Sequence, residues 1–175
     1  MKYHTSKYNI YCLLAVLCIL VFSGVTMASP LAELKKVGEA KLKVLFWDVY
    51  NSSLYSQTGE YRAEQFPQAL KISYLRDIDA EDLIKRTQDE WEKLGIKQAL
   101  FSQWIPLLTR IFPDIKKGDT LLLRVDKNLQ SEFFFNGKTI GIITDQTFGN
   151  SFLRIWLDKN CSYPKVRNKL IGLYK

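Results

Sequence analysis

Histidine is almost missing from this chain. One occurs in 175 residues, His4, and two of the three cysteines, Cys12 and Cys18, lie in the same N-terminal stretch. There is no internal repeat, no low-complexity tract and no Pro- or Ser-rich linker to mark a second domain, so one compact unit is expected. A concentrated positive field is also missing. The formal charge is +7, but the lysine doublets Lys35-Lys36 and Lys116-Lys117 stand apart rather than forming a stripe. A nucleic-acid footprint is not expected, and a solvated surface accounts for the excess.

The N-terminal segment decides what chemistry remains. Lys2 and Lys7 flank an uncharged, largely apolar run over residues 8–25, followed by Thr26-Met27-Ala28, small residues of the kind a signal peptidase reads. The expectation is a signal peptide over residues 1–28, a domain over 29–175, and export to a bacterial periplasm or out of the cell. A retained anchor is the other reading of the same run, since about 18 apolar residues approach the length that spans a bilayer. Cleavage would remove His4, Cys12 and Cys18 and leave Cys161 alone. A Ser-His-Asp or Cys-His site, a zinc site built on histidine and an internal disulfide are then excluded, and no metal or cofactor is expected.

The remaining sequence alternates between two periodicities. Apolar residues on both faces from Val44 onward predict one long first strand, Gly38 to Leu54, covered on each side or facing a ligand on one. Residues 57–65 read as a loop, and Leu70, Ile72 and Tyr74 as a half-buried strand running to about Arg76. Asp79 is placed as an N-cap, with Glu81 and Asp82 in the first turn and Gly95 closing the helix. A second helix over about 97–112 contains Pro106 as a kink. Strands at 120–125, 132–135 and 138–144 follow, the last two joined by Asn136-Gly137, the pair that tolerates two positive φ angles. Asp145 then opens a helix with Phe148, Phe152, Ile155 and Trp156 in one stripe, and a short C-terminal helix ends the chain. Strands before and after a helical block predict an α+β fold, a mostly antiparallel sheet with helices on one face.

The phrases WDVYNSSLY (Trp47 to Tyr55), YLRDIDAEDL (Tyr74 to Leu83), WEKLGI (Trp91 to Ile96), KKGDTLLL (Lys116 to Leu123), NGKTIG (Asn136 to Gly141) and FLRIWLD (Phe152 to Asp158) occur in an order and spacing that resembles the chalcone-isomerase-like family, in its exported bacterial branch. The resemblance covers essentially all of residues 29–175. It implies an open-faced β-sandwich, a curved antiparallel sheet with a helical layer and an apolar cleft between them. It also implies one of two functions: closure of a chalcone to a flavanone, or the holding of a fatty acid in the same cleft. The family's catalytic set is not matched. Its strand-end Thr falls on Tyr50, its helical Asn on Arg86, its Tyr near Asp79, its first-strand Arg around Ala40 and a further hydroxyl near Ile155. No catalytic residue is therefore assigned. The expected function is non-catalytic binding of a fatty acid or similar apolar ligand, with an isomerase or lyase acting on a chalcone-like enone as the alternative.

Tyr50 is the first candidate for ligand binding, a phenol donor placed on a common face with Phe46 and Val44, which would hold an apolar tail. Its plain role is a core tyrosine satisfied by Asp48 or backbone. Charge for an acidic head would come from Lys41, Lys43, Arg76 or Arg86. Arg86 has a plain role too, in ion pairs with Asp82 or Glu90 on a wet helix face, and so does Arg76, with Asp77 or Asp79. Trp91, Trp104 and Trp156 sit at core spacing, and Cys161 is expected to be buried and inert. The implied partner is a small apolar ligand, and oligomeric state is left open.

Overall fold

The structure, a computed structural model, describes residues 29–174; the proposed signal peptide lies outside the described residues. Six strands form one sheet in sequence order, every neighbouring pair antiparallel: β1 (Lys35–Val44), β2 (Trp47–Ser56), β3 (Gln68–Tyr74), β4 (Thr120–Val125), β5 (Ser131–Phe135) and β6 (Lys138–Ile143). Four helices, α1 (Ala80–Lys93), α2 (Gln98–Ile111), α3 (Phe148–Leu157) and α4 (Pro164–Leu170), complete the α+β architecture. Strand parity sets the layering. Leu54, Leu70, Leu123 and Phe133 are fully buried on the helical side, whereas Ala69, Leu122 and Phe134 form a small cluster on the opposite face, covered by Leu31, Leu34 and Tyr55. The residues before β1 thus cap part of the outer face, and the helices roof the inner one.

The long first strand expected from the sequence is two strands. The chain reverses at Leu45 and Phe46, so that Leu42 pairs with Tyr50 and Val44 with Trp47. The turn has no Gly, Asn, Asp or Pro, and Leu45 takes φ 53, a left-handed value that a leucine seldom adopts. Period-two alternation runs through such a turn without a break, which is why the pattern concealed it. Phe46 is consequently 90% exposed at the hairpin tip and does not share a face with Tyr50. The Asn136-Gly137 turn, by contrast, has the two positive φ angles its sequence requires, 49 and 81.

The helices are pinned by side chains whose partners are distant in sequence. Asp79 makes no side-chain cap on α1; instead Asp114, beyond α2, accepts the Ala80 amide at 2.9 Å. Ahead of α3, Asp145 accepts the Thr147 amide and hydroxyl and receives the Trp104 indole N–H at 2.7 Å, so the helix begins at Phe148. Trp91 Nε1 donates to the Ser151 carbonyl at 3.0 Å, joining α1 to α3. Around these bonds Trp91, Trp104, Phe133, Phe148 and Phe152 pack edge-to-face and stacked, with ring centroids 5.3–6.2 Å apart. This aromatic block fills the interior under β4 to β6. The space that remains lies at the other end, under β2 and β3.

Helix α4 reaches the edge strand only because residue 38 is glycine. A Cβ there would stand 2.2 Å from the Lys169 carbonyl oxygen and 2.6 Å from that of Leu170. The close approach seats Leu170 in the core and closes the sheet edge beside the cleft.

Candidate ligand-binding cleft

Between the sheet and α1 lies a cleft of about 460 Å³. Its walls are mostly aliphatic, Leu42 and Val44 from β1, Val49 from β2, Ile78 and Leu83 from the β3–α1 passage and helix, and Ile155 from α3, with Asp77 and Asp82 also on the lining. Tyr50 and Tyr74 sit opposite each other in the β2–β3 register, rings edge-on at 6.3 Å, and both are buried. Trp156 Nε1 donates to the Tyr50 hydroxyl at 2.8 Å. A phenol that accepts through its oxygen still has its own proton to give. Among the described residues no group hydrogen-bonds the Tyr74 hydroxyl. Burial raises both phenol pKa values well above the ordinary 10.0, for Tyr50 against an opposing contribution from the Trp156 hydrogen bond. Both therefore remain neutral donors at physiological pH.

Charge enters from α1 and the mouth. Arg86 Nη2 lies 2.5 Å from Glu90 Oε1 and 3.4 Å from the Tyr163 hydroxyl. Glu90 is buried, and its other oxygen accepts from Ser162 at 2.5 Å. The pair is thus an i,i+4 bridge, as the helical spacing allows, in which Glu90 is buried and the exposed Arg86 borders the cleft. Arg76 also lines the cleft. Its neighbour Asp77 is engaged by Lys116, and among the described residues Arg76 is in no ion pair. A guanidinium without a carboxylate partner at the mouth of an apolar cleft is suited to an anionic head group.

Of the residues singled out in the sequence, Tyr50, Val44, Arg76 and Arg86 line this cleft, and Lys41, Lys43 and Phe46 do not. The two lysines are separated from it by strand parity, since Leu42 between them takes the inward place. Lys41 pairs with Asp48 at 2.9 Å, and both lysines border a second groove, between β1 and α4. Sequence reasoning missed Tyr74, Glu90 and Tyr163 as members of the site. Tyr74 was accessible through parity with Arg76, two residues on. Glu90 and Tyr163 were not, because their burial depends on the docking of residues 162–163 against α1.

Buried Cys161 has its thiol pKa raised by that burial and does not face the cleft. Among the described residues no group of His, Cys, Asp and Glu is arranged to hold a metal ion.

A single antiparallel sheet roofed by helices, with an apolar cleft carrying buried hydroxyls, defines the class. The chalcone isomerase-like family model matches residues 27–172, and the chain belongs to that family. An uncharacterized protein of Haemophilus influenzae is 26% identical over 148 residues, covering 85% of this chain and 73% of the relative. The crystal structure of a fatty-acid binding protein of Arabidopsis thaliana superposes with a TM-score of 0.62 at 12% identity, covering 81% of this chain and 88% of that one. At that identity the likeness establishes the fold alone.

Proposed function

We propose that this protein is an exported, non-catalytic carrier or receptor for a fatty acid or a similar apolar molecule with an acidic head. The single observation that supports this most is the makeup of the cleft: about 460 Å³ between mostly aliphatic walls, two buried neutral phenols inside, and Arg76 at the mouth, in no ion pair among the described residues. The volume is in the range of small-molecule sites, and a few placed polar groups in an apolar lining are the usual form of such sites. The fatty-acid binding neighbour of the same fold agrees with this reading. Export is supported by the character of residues 1–28.

The test begins with native mass spectrometry of protein purified from its host, which should show a bound acyl species. Displacement of a fluorescent polyene fatty acid by palmitate or oleate should then give a saturable curve. Arg76→Ala should weaken it by about tenfold or more, the loss of one charge-assisted hydrogen bond. An empty cleft in every preparation together with no probe uptake would refute the proposal. Accelerated cyclisation of a chalcone at neutral pH would do the same in favour of an isomerase.

A further inference from the structure

The tip of the β1–β2 hairpin exposes more apolar surface than any other feature of the described residues. Leu45 is 83% exposed, Phe46 90% and Trp47 68%, and they are consecutive. Single exposed hydrophobics are ordinary on a soluble protein; three in a row on a protruding turn are not. A polar Asn-Gly or Asp-Gly turn would make the same reversal without strain, yet the chain places a leucine at φ 53. The tip is a protrusion rather than a groove, so it fits a soft medium that closes around it.

The charge beside it is mostly positive, with Asp48 the exception. Below the tip, Lys41 and Lys43 on β1 face Lys165 and Lys169 on α4 across a groove of about 460 Å³. Lys41 is paired with Asp48, whereas Lys43, Lys165 and Lys169 are in no ion pair among the described residues. An apolar tip containing a tryptophan, next to a set of unpaired lysines, matches the two parts of an anionic bilayer surface: acyl chains for the tip and head groups for the lysines. Val44, which leads into the tip, and Val49, just beyond it, also line the ligand cleft, so the same hairpin is the cleft's rim.

We infer that the β1–β2 tip inserts into the interface of an anionic membrane, with Lys43, Lys165 and Lys169 against the lipid head groups, and so brings the mouth of the cleft to the bilayer surface. The docking is independent of what fills the cleft; the consequence that an acyl ligand passes between bilayer and cleft rests on the function proposed above.

Trp47 makes the inference testable in the full chain, because Trp91 and Trp104 are buried and Trp156 is half-buried and bonded to Tyr50. With vesicles of phosphatidylglycerol and phosphatidylcholine, emission should shift to the blue and be quenched by bromine-labelled acyl chains. Trp47→Phe should abolish both changes. Leu45→Ser with Phe46→Ser should abolish the quenching of Trp47 while leaving the melting temperature and the binding of a fatty acid probe in vesicle-free buffer unchanged. Each of Lys43→Glu and Lys165→Glu should weaken vesicle binding by about fivefold or more, and added salt should act likewise. No quenching on anionic vesicles overturns the inference. So does equal binding to pure phosphatidylcholine, which would remove the role of the lysines. A blue shift that grows with protein concentration in the absence of lipid also overturns it, since the tip would then be covered by a second copy of the chain. Failure of the carrier proposal reads differently: vesicle binding would persist and probe uptake in buffer would not.

Discussion

Removing one oxygen from each of the two buried tyrosines separates structural from binding roles in the cleft. Tyr50 and Tyr74 are neighbours on paired strands with similar burial, but among the described residues only the Tyr50 hydroxyl has a partner, the Trp156 indole at 2.8 Å. Tyr50→Phe leaves that half-buried N–H without an acceptor, at a cost of about 1–2 kcal/mol. In a domain of this size that lowers the melting temperature by about 2–8 °C. Tyr74→Phe deprives no protein group of a bond, so its stability should stay within about 0.5 kcal/mol of the parent. For an acidic ligand held by both phenols the asymmetry vanishes. Each variant loses a hydrogen bond to a charged group, worth about 1.5–3 kcal/mol, or about 10- to 150-fold in Kd. Near-ultraviolet circular dichroism melts and displacement of a polyene fatty acid measure the two effects on the same samples. Unchanged affinity in both variants would refute the placement of the head group at the phenols. An equal loss of stability in both would refute the assignment of the Trp156 bond.

Three further outcomes follow from the geometry. Leu83→Trp, which places a larger ring in the existing space at the α1 wall, should weaken fatty acid uptake by about tenfold or more and leave the fold intact, as a thermal melt beside the displacement assay would show. Gly38→Ala should destabilise by about 1–3 kcal/mol, because its Cβ would meet the Lys169 and Leu170 carbonyls; Gly141→Ala, whose Cβ meets only the movable Ile111 side chain, should cost less in urea unfolding. Burial alone would raise the carboxyl pKa of Asp145, but hydrogen bonds from Trp104, Thr147 and the Phe148 amide outweigh it, so the folded pKa lies below the ordinary 3.8. The unfolded chain therefore takes up the proton first on acidification. This contribution is present above about pH 4 and is lost as pH falls through the folded value, and Asp145→Asn should flatten the decline in melting temperature below pH 4.

Most of the architecture was legible because it is written in short-range patterns. Asn136-Gly137 fixed a hairpin through the φ angles only such residues tolerate, Gly95 ended α1, and the Phe148, Phe152, Ile155 stripe oriented α3. The β1–β2 reversal was illegible for the complementary reason: Leu45 and Phe46 give no turn signal, and alternation continues through them. One hidden turn moved Phe46 from the expected site to the surface, whereas Lys41 and Lys43 are kept from the cleft by strand parity alone, on either side of Leu42. The partners that complete the site, Trp156 on Tyr50, Ser162 on Glu90 and Tyr163 on Arg86, lie 72 to 106 residues away along the chain. Nothing local encodes such distances. Only the packing of α3 and α4 against β1, β2 and α1 brings them together.

That same packing explains why the cavity lies where it does. A sheet roofed by helices has space to fill along its whole length, and here the aromatic residues are placed unevenly. Phe133, Phe148, Phe152, Trp91 and Trp104 interlock over β4 to β6. Around the cleft the walls are largely aliphatic apart from the tyrosines, and α1 presents a charged pair there, Arg86 and Glu90, with Ser162 and Tyr163 wedged beside it. A buried carboxylate must be bonded or be costly, so this polar wedge cannot collapse onto the sheet without stranding Glu90. The same wedge also lies on the lining of the cleft, through Arg86, Glu90 and Tyr163. Satisfying Glu90 thus holds these four side chains together, and among the described residues the cation left without a carboxylate partner at the cleft is Arg76, outside the wedge.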